Sequence, residues 1–197
     1  MRSYTIVKKT GNWADVPVAT IDHRLWTPEV DISATAQVCY DSEALYVRLT
    51  AKEEDVRAVE SGRIGVPSQD SCLEFFFSPC EGDTRYFNFE FNPILCMHIG
   101  FGTCRQNSTR LLPKPSANIN PSVTRTDDGW ELTYQIPYAF INMFMPEFSP
   151  KEGTKMRGNF YKCGEATVVE HYFAWNKVET PTPDFHRPEY FGELIFG

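Results

Sequence analysis

The segment Tyr86-Phe-Asn-Phe-Glu-Phe-Asn92 constrains the fold more than any other part of the chain, because a polar residue alternates strictly with phenylalanine. A period of two marks a β-strand, with Phe87, Phe89 and Phe91 on one face and Asn88, Glu90 and Asn92 on the other. Three rings in a row identify the first face as core. The second face is a dense row of amides and a carboxylate on a rigid backbone. It suits a polyhydroxylated ligand, and it equally suits a sheet face turned to water.

Strand-like segments recur at residues 3–9, 34–40, 44–52, 71–78, 85–92, 95–101, 118–126, 129–136, 156–163, 168–175 and 191–196, separated by turn residues. The spacing predicts an all-β protein, an antiparallel β-sandwich of jelly-roll or immunoglobulin-like type, formed as one domain over residues 1–197. Asp128-Gly129 is the clearest hairpin turn, since glycine can take the positive φ of a tight turn, and Asp41-Ser-Glu43 is another connection. One or two short helices are expected, at 53–61 and after Ile136-Pro137. With 15 Phe, 9 Tyr and 4 Trp in 197 residues, the chain can bury a sizeable core without metal or disulfide staples.

A net charge of −7 excludes nucleic acid as a partner, because phosphate binding needs clustered Lys and Arg. No apolar run reaches bilayer-spanning length, so no membrane partner is expected. The start reads as a strand instead of a signal peptide, which fits a cytoplasmic chain or a secreted one whose leader has been removed. The six cysteines lie scattered in apolar strand patterns and are expected as free thiols; Cys96-x-His98 is too sparse for a zinc motif, and no metal ligand set is assigned.

Several residues can carry chemistry. Glu74 and Glu90 have the character of a glycosidase pair, or of plain acceptors for sugar hydroxyls. His171 and His186 can act as acid-base groups, yet no nucleophile-elbow pattern accompanies them, and no catalytic residue is assigned. Glu53, Glu54 and Asp55, with Asp15, Asp22 or Asp31, form either a calcium site or a solvated acidic turn. Trp175-Asn176 offers an indole face for a sugar ring beside an amide, with a core tryptophan as the competing reading, whereas Trp13, Trp26 and Trp130 read as core or edge packing. Residues 179–190 hold three prolines that stiffen the chain, as a presenter of His186 and Arg187 or as a strap across the sandwich. The aromatic stretch Tyr138 to Phe148 suggests a surface for a protein partner.

Asp70-Ser-Cys-Leu-Glu-Phe-Phe, Tyr86-Phe-Asn-Phe-Glu-Phe-Asn92, Gly129-Trp-Glu-Leu with Ile136-Pro137, Asn159-Phe-Tyr-Lys-Cys-Gly164, Ala174-Trp-Asn176 and Phe185-His-Arg-Pro-Glu-Tyr-Phe-Gly192 occur in that order. Together they resemble the family 9-like carbohydrate-binding modules, close to the DOMON-like β-sandwiches. The resemblance implies a sandwich that binds saccharides without cleaving them in glycan utilisation, beside a glycoside hydrolase as partner, and in some members with calcium. It further implies a terminal sugar held between two tryptophans. Trp175 is the candidate for one clamp, and Gly65-Val-Pro-Ser-Gln69, where the other belongs, holds no aromatic residue. Glu74 matches the carboxylate of the Asp-Ser-x-x-Glu strand motif. The ligand set expected is Trp175 stacking, Asn88, Asn92 and Asn176 bonding hydroxyls, Glu74 and Glu90 accepting, and Lys162, Arg187 and His186 beside them.

Overall fold

The computed structural model describes residues 1–197. Its strands are β1 (Ser3–Lys8), β2 (Ala19–Ile21), β3 (His23–Arg24), β4 (Ser33–Tyr40), β5 (Ala44–Lys52), β6 (Cys72–Ser78), β7 (Tyr86–Phe91), β8 (Met97–Cys104), β9 (Asn107–Leu111), β10 (Ser122–Thr126), β11 (Gly129–Pro137), β12 (Lys155–Gly164), β13 (His171–Ala174) and β14 (Gly192–Phe196). One layer runs β10-β11-β5-β4, with β2 on β4; the other runs β14-β12-β6-β7-β8-β9, with β13 beside the end of β12 and β3 on β13. β1 stitches the two together. Ser3–Ile6 pair with β14 and Val7–Lys8 with β4, both in parallel, whereas all other pairings are antiparallel. The sandwich is therefore antiparallel except at β1, which leaves one layer for the other part-way along its length.

The core follows from period-two patterning. Leu45, Val47, Leu49 and Ala51 of β5 and Trp130, Leu132, Tyr134 and Ile136 of β11 face Leu73, Phe75 and Phe77 of β6 and Phe87, Phe89 and Phe91 of β7 in one cluster. The Phe89 and Tyr134 rings stack across the layers, 5.8 Å apart at 16°. A core aromatic pair adds about 0.5–1.5 kcal/mol beyond the area it buries.

β6 and β7 differ from an ordinary sandwich strand in that every residue of both is buried. A second cluster covers their outer face, built from Cys72, Phe76, Tyr86, Tyr161, Cys163, Tyr172 and Phe185 among others. Phe185 comes from the proline-rich segment 179–190, and its ring stacks on Tyr161 at 4.0 Å and 11°. The face that alternation assigned to water or ligand thus lies under a strap.

Several local expectations change. The segment 53–61 is irregular instead of helical, because side chains just before β6 take its amides: Asp70 accepts from Val59 and Glu60, and Ser71 Oγ accepts from Arg57. Those bonds replace the i to i−4 ladder. The helix after Pro137 forms as α1 (Tyr138–Asn142). β10 begins at Ser122 because Asn118 and Asn120 take left-handed φ values of 54° and 47°. At the β10–β11 turn Gly129 has no positive φ; a Cβ there would overlap the Ala51 carbonyl oxygen, so close approach to β5 is what requires glycine. β2, β3 and β9 are strands that patterning missed, β9 because Asn-Ser-Thr-Arg-Leu is a half-exposed polar edge. All six cysteines are free, and no helix is long and apolar enough to cross a membrane.

Candidate functional site

On the outer face of the second layer, Glu74 of β6 stands directly opposite Glu90 of β7. Two residues along β7 from Glu90, Asn88 donates its amide to Glu90 Oε1 at 2.8 Å. Asn88 pairs across to Gly100, and a Cβ there would overlap the Asn88 amide, so that glycine makes the room the side chain needs. Asn88 Oδ1 and Glu74 Oε2 are both buried without any hydrogen-bond partner. Unpaired buried polar atoms are rare, because each forfeits about 1–3 kcal/mol of hydration. The other Glu74 oxygen meets only sulfur, with Cys163 Sγ at 3.1 Å and Cys72 Sγ at 3.6 Å.

Burial pushes the Glu90 carboxyl up to about 7, against the opposing pull of the Asn88 amide and of Arg105. Burial raises Glu74 well above the carboxylate range, reinforced by Cys163 and Glu90. Two acids side by side and screened from water resist double ionisation, so the floor of this site favours protonated, hydrogen-bond-donating carboxyls.

The strap forms the roof. Pro183, Asp184, Phe185 and His186 close over Glu74 and Glu90, leaving a cleft of about 40 Å³, room for about three waters. His186 Nδ1 bonds Tyr86 Oη at 2.8 Å, and burial together with Arg105 lowers the imidazole to about 4. Arg105 reaches Asp184 at 3.2 Å at the rim. Trp26 lines one side, its Nε1 donating to Thr180 O at 2.6 Å and its ring set edge-on to Tyr172. Trp26 also has φ 54°, the left-handed region, where a bulky side chain is an outlier of the kind that gathers at binding sites.

Of the residues singled out from sequence, the fold brings together Glu74, Glu90 and His186 in the cleft lining, with Asn88 bonded to Glu90. It sends the others elsewhere. Trp175 is packed in the sandwich core, its ring against Tyr4 and Phe160, because Ala174 and Trp175 fall on opposite faces and the indole takes the inner one. Asn176 is a structural clamp, accepting from the Arg2 amide and donating to Tyr190 O. Asn92 is used up on Asp70, Glu60 O and the amides of Ile94 and Cys96, which fixes the turn after β7. Lys162 points to the inner face and pairs with Glu53 at 3.1 Å. Arg187 lies outside the cleft lining, paired with Glu189 at 2.6 Å. The Tyr138–Phe148 stretch buries Phe140, Met145 and Phe148 in the core, leaving Met143 as its exposed apolar side chain.

Of the acidic residues considered for calcium, Asp31, Glu53, Glu54 and Asp55 line a common cleft, whereas Asp15 and Asp22 lie elsewhere. Glu53 is buried and committed to Trp130 Nε1, Ser71 Oγ and Lys162, Asp22 is held by Arg2, and Asp15 by Thr10. No three of these carboxylates bring their oxygens within 4.8 Å of one another, so they do not form a calcium cage as they stand. Sequence reading missed Trp26, Arg105, Cys163, Glu165, Tyr172 and Asp184 as cleft residues. Only the partition of each strand by facing could have pointed to Cys163; the rest arrive from loops and distant strands.

A polar, partly orphaned sheet face roofed by a loop and edged by aromatic rings is the geometry to compare with known proteins. The model of carbohydrate-binding family 9 matches residues 6–196. The chain belongs to carbohydrate-binding family 9. This family 9 chain is 27% identical over 187 residues to an "Extracellular protein" of Arthroderma benhamiae, covering 82% of this chain and 78% of that one. A candidate carbohydrate-binding protein of Bacteroides uniformis superposes with a TM-score of 0.84 at 25% identity, covering 100% and 99% of the two chains. A family 9 module of Caldicellulosiruptor kristjanssonii, solved with cellotriose, superposes at 0.71 with 13% identity over 99% and 93%; its glucose complex gives 0.70. At that identity the likeness is one of fold.

Proposed function

We propose that this family 9 protein binds saccharides without cleaving them, at the cleft between the β6–β7 outer face and the 179–190 strap, acting in glycan utilisation beside a glycoside hydrolase. The whole chain serves as one binding unit. The observation that carries the site is the buried, unpartnered Glu74 Oε2 in the cleft lining, with the unpartnered Asn88 Oδ1 on the same sheet face, two of the four such side-chain atoms in the protein. Sugar hydroxyls supply the missing donors. Family membership and the cellotriose and glucose complexes of the Caldicellulosiruptor module support the ligand class.

A cleft of about 40 Å³ admits hydroxyl groups but not a pyranose ring. The ring therefore rests at the mouth, against Trp26 and Tyr172, with hydroxyls reaching Glu90 and Arg105. Trp26 takes the stacking role for which Trp175, packed in the core, has no free face.

Calorimetry against glucose, cellotriose and a panel of oligosaccharides tests this reading. Binding is expected, weakened at least about 10-fold by Trp26→Ala or Glu90→Gln, since each removes roughly one stack or one hydrogen bond to a desolvated carboxyl worth about 1.4 kcal/mol or more. No saccharide bound at millimolar concentration overturns it, and reporter-glycoside turnover that disappears in Glu74→Gln would replace it with a cleaving enzyme.

A further inference from the structure

Three donors of unusual chemistry meet beneath the cleft. Cys72 and Glu74 are two apart on β6 and so share a face; Cys163 of β12 is the direct cross-strand partner of Cys72 on that same face. Their ligand atoms, two Sγ and one carboxylate oxygen, all lie within 4.8 Å of one another, and all three residues are buried. It is the sole group of three or more His, Cys, Asp or Glu donors so arranged in the chain.

The spacing is that of a coordination sphere. Zinc bonds of about 2.3 Å to sulfur and about 2.0 Å to oxygen put tetrahedral S···O edges at about 3.5 Å and the S···S edge at about 3.8 Å. The observed S···O separations of 3.1 and 3.6 Å bracket the first of these. A small shift of side chains on three rigid strand positions therefore suffices.

A second, independent observation points the same way. Glu74 is 2% exposed, its Oε2 has no partner, and no Lys, Arg or His bonds either of its oxygens. The other fully buried acid near β12, Glu53, is saturated by a cation, an indole and a hydroxyl. An acid meant only for packing would be costly to leave as Glu74 is, and an apolar residue there would serve the core better. A metal ion would supply what it lacks.

We propose that Cys72, Glu74 and Cys163 form a site for a thiophilic divalent cation of the zinc class, three protein ligands with a fourth position opening to the cleft. Glu74 and Cys163 both line that cleft, which provides the entry path, and Ser68 and Glu165 stand at the same wall. Three ligands plus an open position is the pattern of a site that exchanges water or ligand, not of a closed structural staple. The site shares Glu74 with the proposed saccharide cleft, where a bound ion and a sugar hydroxyl are alternative partners for Oε2, whereas the remaining sugar contacts lie on Trp26, Tyr172, Glu90 and Arg105 and do not involve the two thiols.

Cobalt titration of the reduced protein, under anaerobic conditions with a non-thiol reductant, is the direct test. One equivalent of Co²⁺ is expected to bind with a near-ultraviolet thiolate-to-cobalt charge-transfer band and visible bands of tetrahedral intensity, all displaced by Zn²⁺. Cys72→Ser and Cys163→Ser should each remove much of the charge-transfer band and weaken binding by about 100-fold, whereas Cys80→Ser and Cys104→Ser, at the two half-exposed thiols, should leave it unchanged. Glu74→Gln should keep the band and weaken binding. Near-ultraviolet circular dichroism confirms that each variant is folded, with Cys163→Ala as the alternative if Cys163→Ser is not. A titration without the band, a band that survives both Cys72→Ser and Cys163→Ser, or a Cys72–Cys163 disulfide in the freshly purified protein overturns the proposal. Saccharide calorimetry on chelator-treated protein separates the two readings, since sugar binding that persists without metal leaves the function intact whatever the cobalt result.

Discussion

Lys162 and Cys163 are neighbours on β12, and they open onto two different kinds of buried polarity. On the inner side Lys162 lies with Glu53 at 3.1 Å and His171 Nε2 at 2.7 Å, and Glu53 also accepts from Trp130 and Ser71. Every strong group there has a partner, and burial with the nearby Lys162 lowers His171 to about 4, so it stays neutral beside the ammonium. On the outer side Cys163 meets Glu74, whose second oxygen has no partner at all. Saturation marks the first as a structural lock tying the 53–61 segment to both layers. Incompleteness marks the second as a site awaiting something from outside the chain.

That contrast breaks most readily on Glu53. Glu53→Ala leaves a buried ammonium and an indole N–H unpaired, and should destabilise the fold by about 3–5 kcal/mol in urea denaturation. A loss below about 1 kcal/mol would remove the distinction between the two networks. Trp175→Ala comes next: a core indole deletion should lower stability by about 3 kcal/mol or more while leaving saccharide affinity unchanged in the folded fraction. Affinity lost without stability would return the indole to the ligand.

The strap sharpens the comparison through pH. His186 faces Tyr86, Arg105, Asp184 and His98, and its folded value near 4 lies below the unfolded 6.5. The folded state therefore takes up a proton later than the unfolded one. Its contribution to stability is complete above pH 6.5 and is lost as pH falls from there through about 4, by roughly 3 kcal/mol. His186→Gln should show less acid-side loss than wild type in parallel denaturation series; identical slopes would mean the ring is already solvated. The smallest expected effect is at the orphaned acid, where Glu74→Gln should change stability by less than about 1 kcal/mol in either direction, because the amide oxygen keeps the Cys163 contact and the other position has no partner to lose. A large loss would make Glu74 structural, like Glu53.

Much of the sandwich was legible in the chain. Alternation assigns Phe87, Phe89 and Phe91 to the core, and the same alternation puts Glu74, Asn88 and Glu90 on one common face. Facing alone did not separate their fates from that of Asn92, which has the same pattern but lies at the strand end, where backbone amides and Asp70 absorb it. Trp175 was misplaced for a related reason: a tryptophan at a strand end offers no sequence signal of which face it takes. Proximity in sequence did not make the carboxylates of residues 53–55 converge, since Glu53 turns inward to Lys162.

The sequence by itself determined which side chains share a face, because strand geometry is local and its period is fixed by the backbone. Whether a face is open, roofed or locked was decided only in three dimensions. The strap is held about 100 residues from the strand it covers by Phe185 on Tyr161 and His186 on Tyr86, and Cys163 meets Glu74 across a register set by the whole sheet. Such contacts depend on loop closure and strand order, which no short window of residues encodes.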